Sequence, residues 1–379
     1  MTSQTVRPIT PKSAGANPLI LVPCLAPAGC EKQSYLLARA LKQRGMLPGV
    51  IVWNLTDQDY YREHIEEMGI PFFIAPQDQG RWAKLRWLHS LVRMVRPRVL
   101  HSMAFYLNSV AAFASHMTPT IAIGAIRGDY QFEADQGYIH YAINRRWPKT
   151  IVANSERAWR AAVADRSIFR PRKALMVSNG LDLNLYKVRI HGGLTTPQIL
   201  GVGNLHREKG WDRLLRSVAR LQSNRPELLF KVQIAGEGKE RSNLQQLVKR
   251  SGLEQRVTFL GRRLDIPDLL FQSDIFVMAS DSEGTPNAIM EAMAAGLPVV
   301  STDVGDVSRL VEDGINGYVI PLHSGAEHLM TSALIKLLGN PALRAHMGAQ
   351  SRERSAEFGL DELAQRVLEA YRRAGWEQN

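Results

Sequence analysis

Two carboxylates sit around one short helix in the stretch Ser280-Asp281-Ser282-Glu283-Gly284-Thr285-Pro286-Asn287-Ala288-Ile289-Met290-Glu291. Glu283 precedes the helix, and Glu291 follows after seven intervening residues, roughly two turns along it. Thr285 suits an N-cap, Pro286 the first helical position and Gly296 the residue past the end, so a helix from about Pro286 to Ala295 is expected. The free N–H groups of a helix start attract anions. A loop carboxylate and a helix carboxylate can then hold hydroxyls of two sugar rings while the N–H groups face a phosphate between them. Taken alone, the pair reads more simply as a loop charge and a solvated helix charge.

The flanking elements place this segment. Ile275-Phe276-Val277-Met278 before it and Pro298-Val299-Val300 after it are short apolar runs of the kind found in buried parallel strands. The loop Asp281 to Thr285 therefore sits at the carboxyl end of a strand, where ligands bind in such sheets.

Glu283-Gly284-Thr285-Pro286-Asn287 followed by Glu291-Ala292-Met293-Ala294-Ala295-Gly296-Leu297-Pro298-Val299-Val300 resembles the signature of the retaining nucleotide-sugar glycosyltransferases of family 4. The departure is Thr285, where that signature commonly has Phe. Gly203, Leu205, Lys209 and Gly210 match the family's Gly-Arg-Leu-x-x-x-Lys-Gly, with Asn204 in place of the arginine. The resemblance implies an α/β GT-B fold: two doubly wound Rossmann-like domains facing each other across a cleft, with a C-terminal helix crossing back.

Composition fits two domains. The chain has 379 residues, 45% of them hydrophobic, enough for two cores. Cys24 and Cys30 are the only cysteines, which excludes a disulfide framework and suits a reducing cytoplasm. No run reaches the roughly 18 apolar residues that a membrane span needs. The net charge of +11 is uneven: residues 1–190 carry 25 Lys and Arg against 13 Asp and Glu, and the remainder 22 against 23. The basic half calls for an anionic partner. Zinc spacing, RNP-like aromatics and basic repeats are all missing, which argues against nucleic acid and favours an anionic membrane surface.

Along the chain, residues 1–17 read as a disordered lead, 18–189 as an acceptor-binding domain, 190–197 as a linker, 198–360 as a donor-binding domain and 361–379 as the terminal helix. Leu19-Ile20-Leu21-Val22 precedes the loop Ala28-Gly29-Cys30-Glu31, where Gly29 lets backbone approach a phosphate or sugar. Asp57-x-Asp59 reads mainly as capping acids rather than a metal pair. Arg81 to Arg96 has apolar residues at 82, 85, 88, 91, 92 and 95 and a basic edge, which suits packing on the sheet and equally an anionic lipid surface. Val99-Leu100-His101-Ser102 and Ile121 to Arg127 end strands, and Asn179-Gly180 reads as a turn. Gly201-x-Gly203 lacks the third glycine of a dinucleotide loop.

The resemblance implies transfer of a hexosyl or N-acetylhexosaminyl unit from a nucleotide diphosphate sugar to a glycan, with retention and without a metal or other cofactor. Glu283 would hold the donor sugar, Glu291 the ribose, and Lys209 with the helix start the diphosphate. Gly29, Asn204, Arg262, Ser282, Gly284, Thr285, Pro286 and Asn287 complete the expected donor contacts. His101 fits a family histidine, Arg127 stands where a second is expected, and with Glu283 they are the catalytic candidates. The acceptor is expected to be lipid-linked, at the cytoplasmic membrane face. A nucleotide-sugar epimerase on the same fold, or a non-catalytic nucleotide-sugar-binding subunit, are the alternatives.

Overall fold

Short runs of branched apolar residues build both sheets. The computed structural model describes residues 17–128, 138–188 and 196–376. They fall into two units, one made of the chain up to Gly180 together with the chain from Leu360, the other spanning Leu181–Gly359.

In unit 1, β1 (Leu19–Val22), β2 (Gly49–Val52), β3 (Phe72–Ile74), β4 (Val99–Ser102), β5 (Ile121–Ile126), β6 (Thr150–Ala153) and β7 (Lys173–Met176) form a seven-stranded sheet in the order β3-β2-β1-β4-β5-β6-β7. All its pairings are parallel, with Ile20 opposite His101 across β1 and β4. Leu19, Ile20, Leu21 and Val22 are fully buried, as a strand covered on both faces requires.

In unit 2, β8 (Gln198–Val202), β9 (Lys231–Ala235), β10 (Val257–Gly261), β11 (Ile275–Met278), β12 (Val299–Thr302) and β13 (Gly317–Ile320) form a six-stranded parallel sheet in the order β10-β9-β8-β11-β12-β13. Strand order reverses between β1 and β4 in one unit and between β8 and β11 in the other. Those reversals open crevices at the carboxyl ends of the strands, the usual place for a ligand.

The helix Leu360–Arg373 belongs to unit 1. Leu363, Ala364, Val367, Leu368 and Tyr371 repeat at helical spacing and join Ile20, Leu37 and Leu41 in one core. Gly180 is needed for close approach rather than for a turn, because a Cβ there would lie 2.5 Å from Leu363 Cδ2. Gln33 fixes the same point with its amide: Nε2 donates to Gly180 O at 2.9 Å and Oε1 accepts from Gly180 N at 2.8 Å.

Two boundaries and one helix face differ from expectation. Leu181 to Val188 group with unit 2, because Leu181 and Tyr186 are buried in its core and Leu181 N donates to Phe358 O at 2.7 Å. Asn17, expected in the lead, bridges to Leu47; the rest of that lead lies outside the described residues, as does the linker apart from 196 and 197. In the helix Arg81–Val95, Leu88, Leu91, Val92 and Val95 pack inward, but Trp82 is 73% exposed and Lys84 takes a buried place instead. Lys84 Nζ donates to Trp53 O and Asn54 Oδ1, each at 3.0 Å, so a residue expected on the basic edge is a core tie. Burial lowers its pKa. Among the described residues no helix is long and apolar enough to cross a membrane.

Candidate active site

The loops after β8 and β11 meet where the strand order of unit 2 reverses. Gly210 follows the β8 loop with φ of +60°, and a Cβ there would lie 2.0 Å from Ala279 O, so only glycine lets the two loops touch. Asp281 N donates to Glu208 O at 2.8 Å. Arg213 clamps the far side, bonding Ala279 O and pairing with Asp281 at 2.6 Å.

At that junction Lys209 Nζ lies 2.6 Å from Glu283 Oε1. Ser280, fully buried at the end of β11, donates its hydroxyl to the same oxygen at 2.7 Å. Ser280 is in turn held by Thr302, whose hydroxyl donates to Ser280 O at 2.6 Å. The two groups expected to hold sugar and diphosphate are thus each other's partners. Both remain partly accessible, with side chains 26% and 15% exposed.

The helix runs Asn287–Ala294, with Pro286 rather than Thr285 at the N-cap. The Thr285 hydroxyl is committed elsewhere, donating to Asp306 Oδ2 at 2.9 Å. Glu291 is 6% exposed, not a solvated helix charge. Ile289, Met290, Ala292 and Met293 are buried around it, which fixes the helix firmly in the unit 2 core. Gly284, Thr285 and Pro286 are buried, and Ser282 and Asn287 half-buried. Asn204 is exposed and its carbonyl accepts from Trp211 Nε1 at 2.8 Å. Arg262 is exposed just after Gly261, whose carbonyl accepts from Gly236 N at 2.8 Å. His206, two residues past Asn204, is exposed with Nδ1 3.3 Å from Glu208 Oε1.

The unit 1 candidates have a different setting. Gly29 begins the helix Gly29–Gln43 and is exposed. His101 is 1% exposed, with Nδ1 3.0 Å from the Tyr371 hydroxyl, and its Nε2 has no hydrogen-bond partner among the described residues. Burial, and secondarily the Arg127 charge, push its pKa down to about 3. An imidazole that binds protons so weakly is a poor general base near neutral pH. Arg127 donates to Asn179 Oδ1 at 3.1 Å and to Met103 Sδ at 3.3 Å. Cys30 Sγ donates to Met103 O at 2.9 Å, and burial raises its pKa to about 12, so this thiol is inert. Asp59 accepts from Thr56 Oγ1 at 2.7 Å and from Leu25 N at 3.2 Å, a tie between loops and not the expected cap, since the helix Tyr61–Glu67 has Tyr60 at its N-cap and no side-chain cap bond. Among the described residues, no cluster of three or more His, Cys, Asp or Glu is placed to hold a metal ion.

Sequence reasoning missed Ser280, Arg213, Thr302 and Asp306. Ser280 and Asp306 lie just past the carboxyl ends of strands, and that position was the available signal.

Residues 196–340 match the family described as Glycosyl transferases group 1. An uncharacterized glycosyltransferase of Haemophilus influenzae (strain ATCC 51907 / DSM 11121 / KW20 / Rd) is 34% identical over 171 residues, 45% of this chain and 47% of that protein. The lipopolysaccharide core biosynthesis glycosyltransferase LpsE of Rhizobium meliloti (strain 1021) is 32% identical over 157 residues, 41% of this chain and 44% of that protein. The chain spans about half the length of the curated relatives it matches. Among solved structures, Anabaena Alr3699/HepE in complex with UDP superposes with a TM-score of 0.77 at 20% identity, covering 94% of this chain and 99% of that one. Residues 196–340 thus resemble the glycosyl transferases group 1 family, and the chain has the GT-B fold of the solved structure.

Proposed function

We propose that the chain is a retaining, metal-independent glycosyltransferase of family 4 that moves a hexosyl or N-acetylhexosaminyl unit from a UDP-sugar to a glycan acceptor. The observation that carries this reading is the Lys209–Glu283 pair at 2.6 Å, in the loops where the unit 2 strand order reverses and just ahead of the helix Asn287–Ala294. The diphosphate takes Lys209 and the N–H groups of the helix start, both suited to an anion. Its arrival frees a Glu283 oxygen for a hydroxyl of the donor sugar, and Glu291 holds the ribose. As the bond to the sugar breaks, negative charge grows on the departing diphosphate, and Lys209 stabilises it there.

The acceptor is lipid-linked, in cell-surface polysaccharide or lipopolysaccharide synthesis, and the chain works at the inner face of the cytoplasmic membrane. Support comes from the basic first half, the exposed Trp82 beside Arg81 and Arg86, and the likeness to LpsE. The test incubates the protein with a panel of nucleotide sugars, with and without membrane lipid extract. Consumption of one donor only when extract is present supports the proposal. Turnover without extract points to an epimerase, and binding without turnover to a non-catalytic subunit.

A further inference from the structure

The loop after β12 is braced directly against the backbone on either side of Gly284. Asp306 N donates to Gly284 O at 3.0 Å, and Asp306 Oδ2 accepts the Thr285 hydroxyl at 2.9 Å. Gly305 has φ of +56°, and a Cβ on it would lie 2.1 Å from Gly284 O and 2.6 Å from Glu283 O. No side chain fits between these two strips of backbone. Thr285 and Asp306 are 6% and 3% exposed, so the bond between them is shielded from water. Arg309 Nη1 is 3.9 Å from Asp306 Oδ2, too far for a hydrogen bond. Asp306 also caps its own short helix from the main chain, its carbonyl accepting from Arg309 N and Leu310 N, each at 3.1 Å.

We infer that Asp306, acting through Thr285, is a positioning residue that sets the Glu283 carboxylate and the backbone entering the helix Asn287–Ala294. This inference rests on the function proposed above. Thr285 is the residue that departs from the family signature, and its hydroxyl is used inside the protein, on a residue of the next strand's loop, rather than on a ligand. Two bonds from one residue, to the carbonyl of 284 and to the side chain of 285, hold the peptide units between Glu283 and the helix start. An error of about 1 Å in such a strip can cost roughly 100-fold in rate, because reacting groups must be held in near-attack geometry.

The experiment is a double-mutant cycle on the full chain with Thr285→Val and Asp306→Ala, plus Asp306→Asn, whose amide oxygen still accepts from Thr285. Steady-state transfer, thermal unfolding and amide hydrogen exchange over residues 283–288 are measured for each. The expected result is a fall in kcat of about 10- to 100-fold in Thr285→Val with little change in donor KM, and faster exchange of those amides. The double variant should be little worse than either single one, because both remove the same bond, and Asp306→Asn should recover a large part of the loss. If Asp306→Ala does not fold, Thr285→Val and Asp306→Asn decide. Unchanged kcat in Thr285→Val overturns the inference, as does a loss confined to thermal stability. Should the wild-type protein transfer no sugar, the proposed function fails and the exchange data alone decide: faster exchange in Thr285→Val supports the bracing role and equal exchange overturns it.

Discussion

The two sheets reverse strand order in the same way, yet the side chains at their carboxyl ends are set in opposite electrostatic states. In unit 2 two charge pairs reach water: Lys209 with Glu283 at 2.6 Å, and Arg213 with Asp281 at 2.6 Å. In unit 1 they are withdrawn from it. His101 is buried and neutral, Arg127 is bonded to an amide oxygen and a thioether, and burial raises the pKa of Cys30 and Glu31. Partly accessible pairs exchange partners at small cost, whereas desolvated groups are costly to charge or uncharge. The contrast teaches that topology supplies the crevice but local burial decides whether its residues can meet an anion.

Breaking the unit 2 pair should have the largest effect. Glu283→Ala is expected to lower acceptor-dependent donor consumption at least about 100-fold while thermal unfolding stays close to wild type, since the residue is held by partners rather than packed in the core. Lys209→Ala should cost about 10- to 100-fold, chiefly in kcat, because its charge is needed as the diphosphate departs. Comparable losses on replacing His101 would erase the contrast between the two units.

Unit 1 should respond in stability instead. Gln33→Leu leaves the Gly180 N–H and carbonyl without their amide partner and should cost about 2–3 kcal/mol in urea unfolding. A more gradual effect concerns pH. The folded imidazole of His101 binds a proton near pH 3 and an unfolded one near 6.5, so between these values the unfolded chain holds the extra proton. Stability therefore falls as pH drops from 6.5 toward 3, by at most about 1.4 kcal/mol per pH unit from this residue. His101→Gln should flatten that part of the stability profile measured by denaturant unfolding at successive pH values.

Much of unit 2 was legible because its signals are local. The run Ile275 to Met278, the loop acids and the Pro and Gly around the helix all lie within one strand-helix-strand segment, and the structure has these elements where their residue types put them. What stayed hidden depends on contacts between distant residues. Thr285 has the right chemistry for an N-cap, but Asp306, a strand and a loop away, takes its hydroxyl. Lys84 looked like part of a basic edge until Trp53 O and Asn54 Oδ1 are seen beside it. Gly180 looked like a turn former, and Leu363 on the terminal helix is the reason for it. Periodicity gave the inward face of Arg81–Val95 but could not tell that Trp82, at its first turn, lies beyond the edge of the packed surface.

A crystal structure of the protein with UDP tests the account most directly. The pyrophosphate should lie within hydrogen-bond distance of Lys209 Nζ and of the backbone N–H groups at the start of the Asn287–Ala294 helix, with the Lys209–Glu283 contact opened. A nucleotide bound away from the β8 and β11 loops, with that contact still closed, would contradict it.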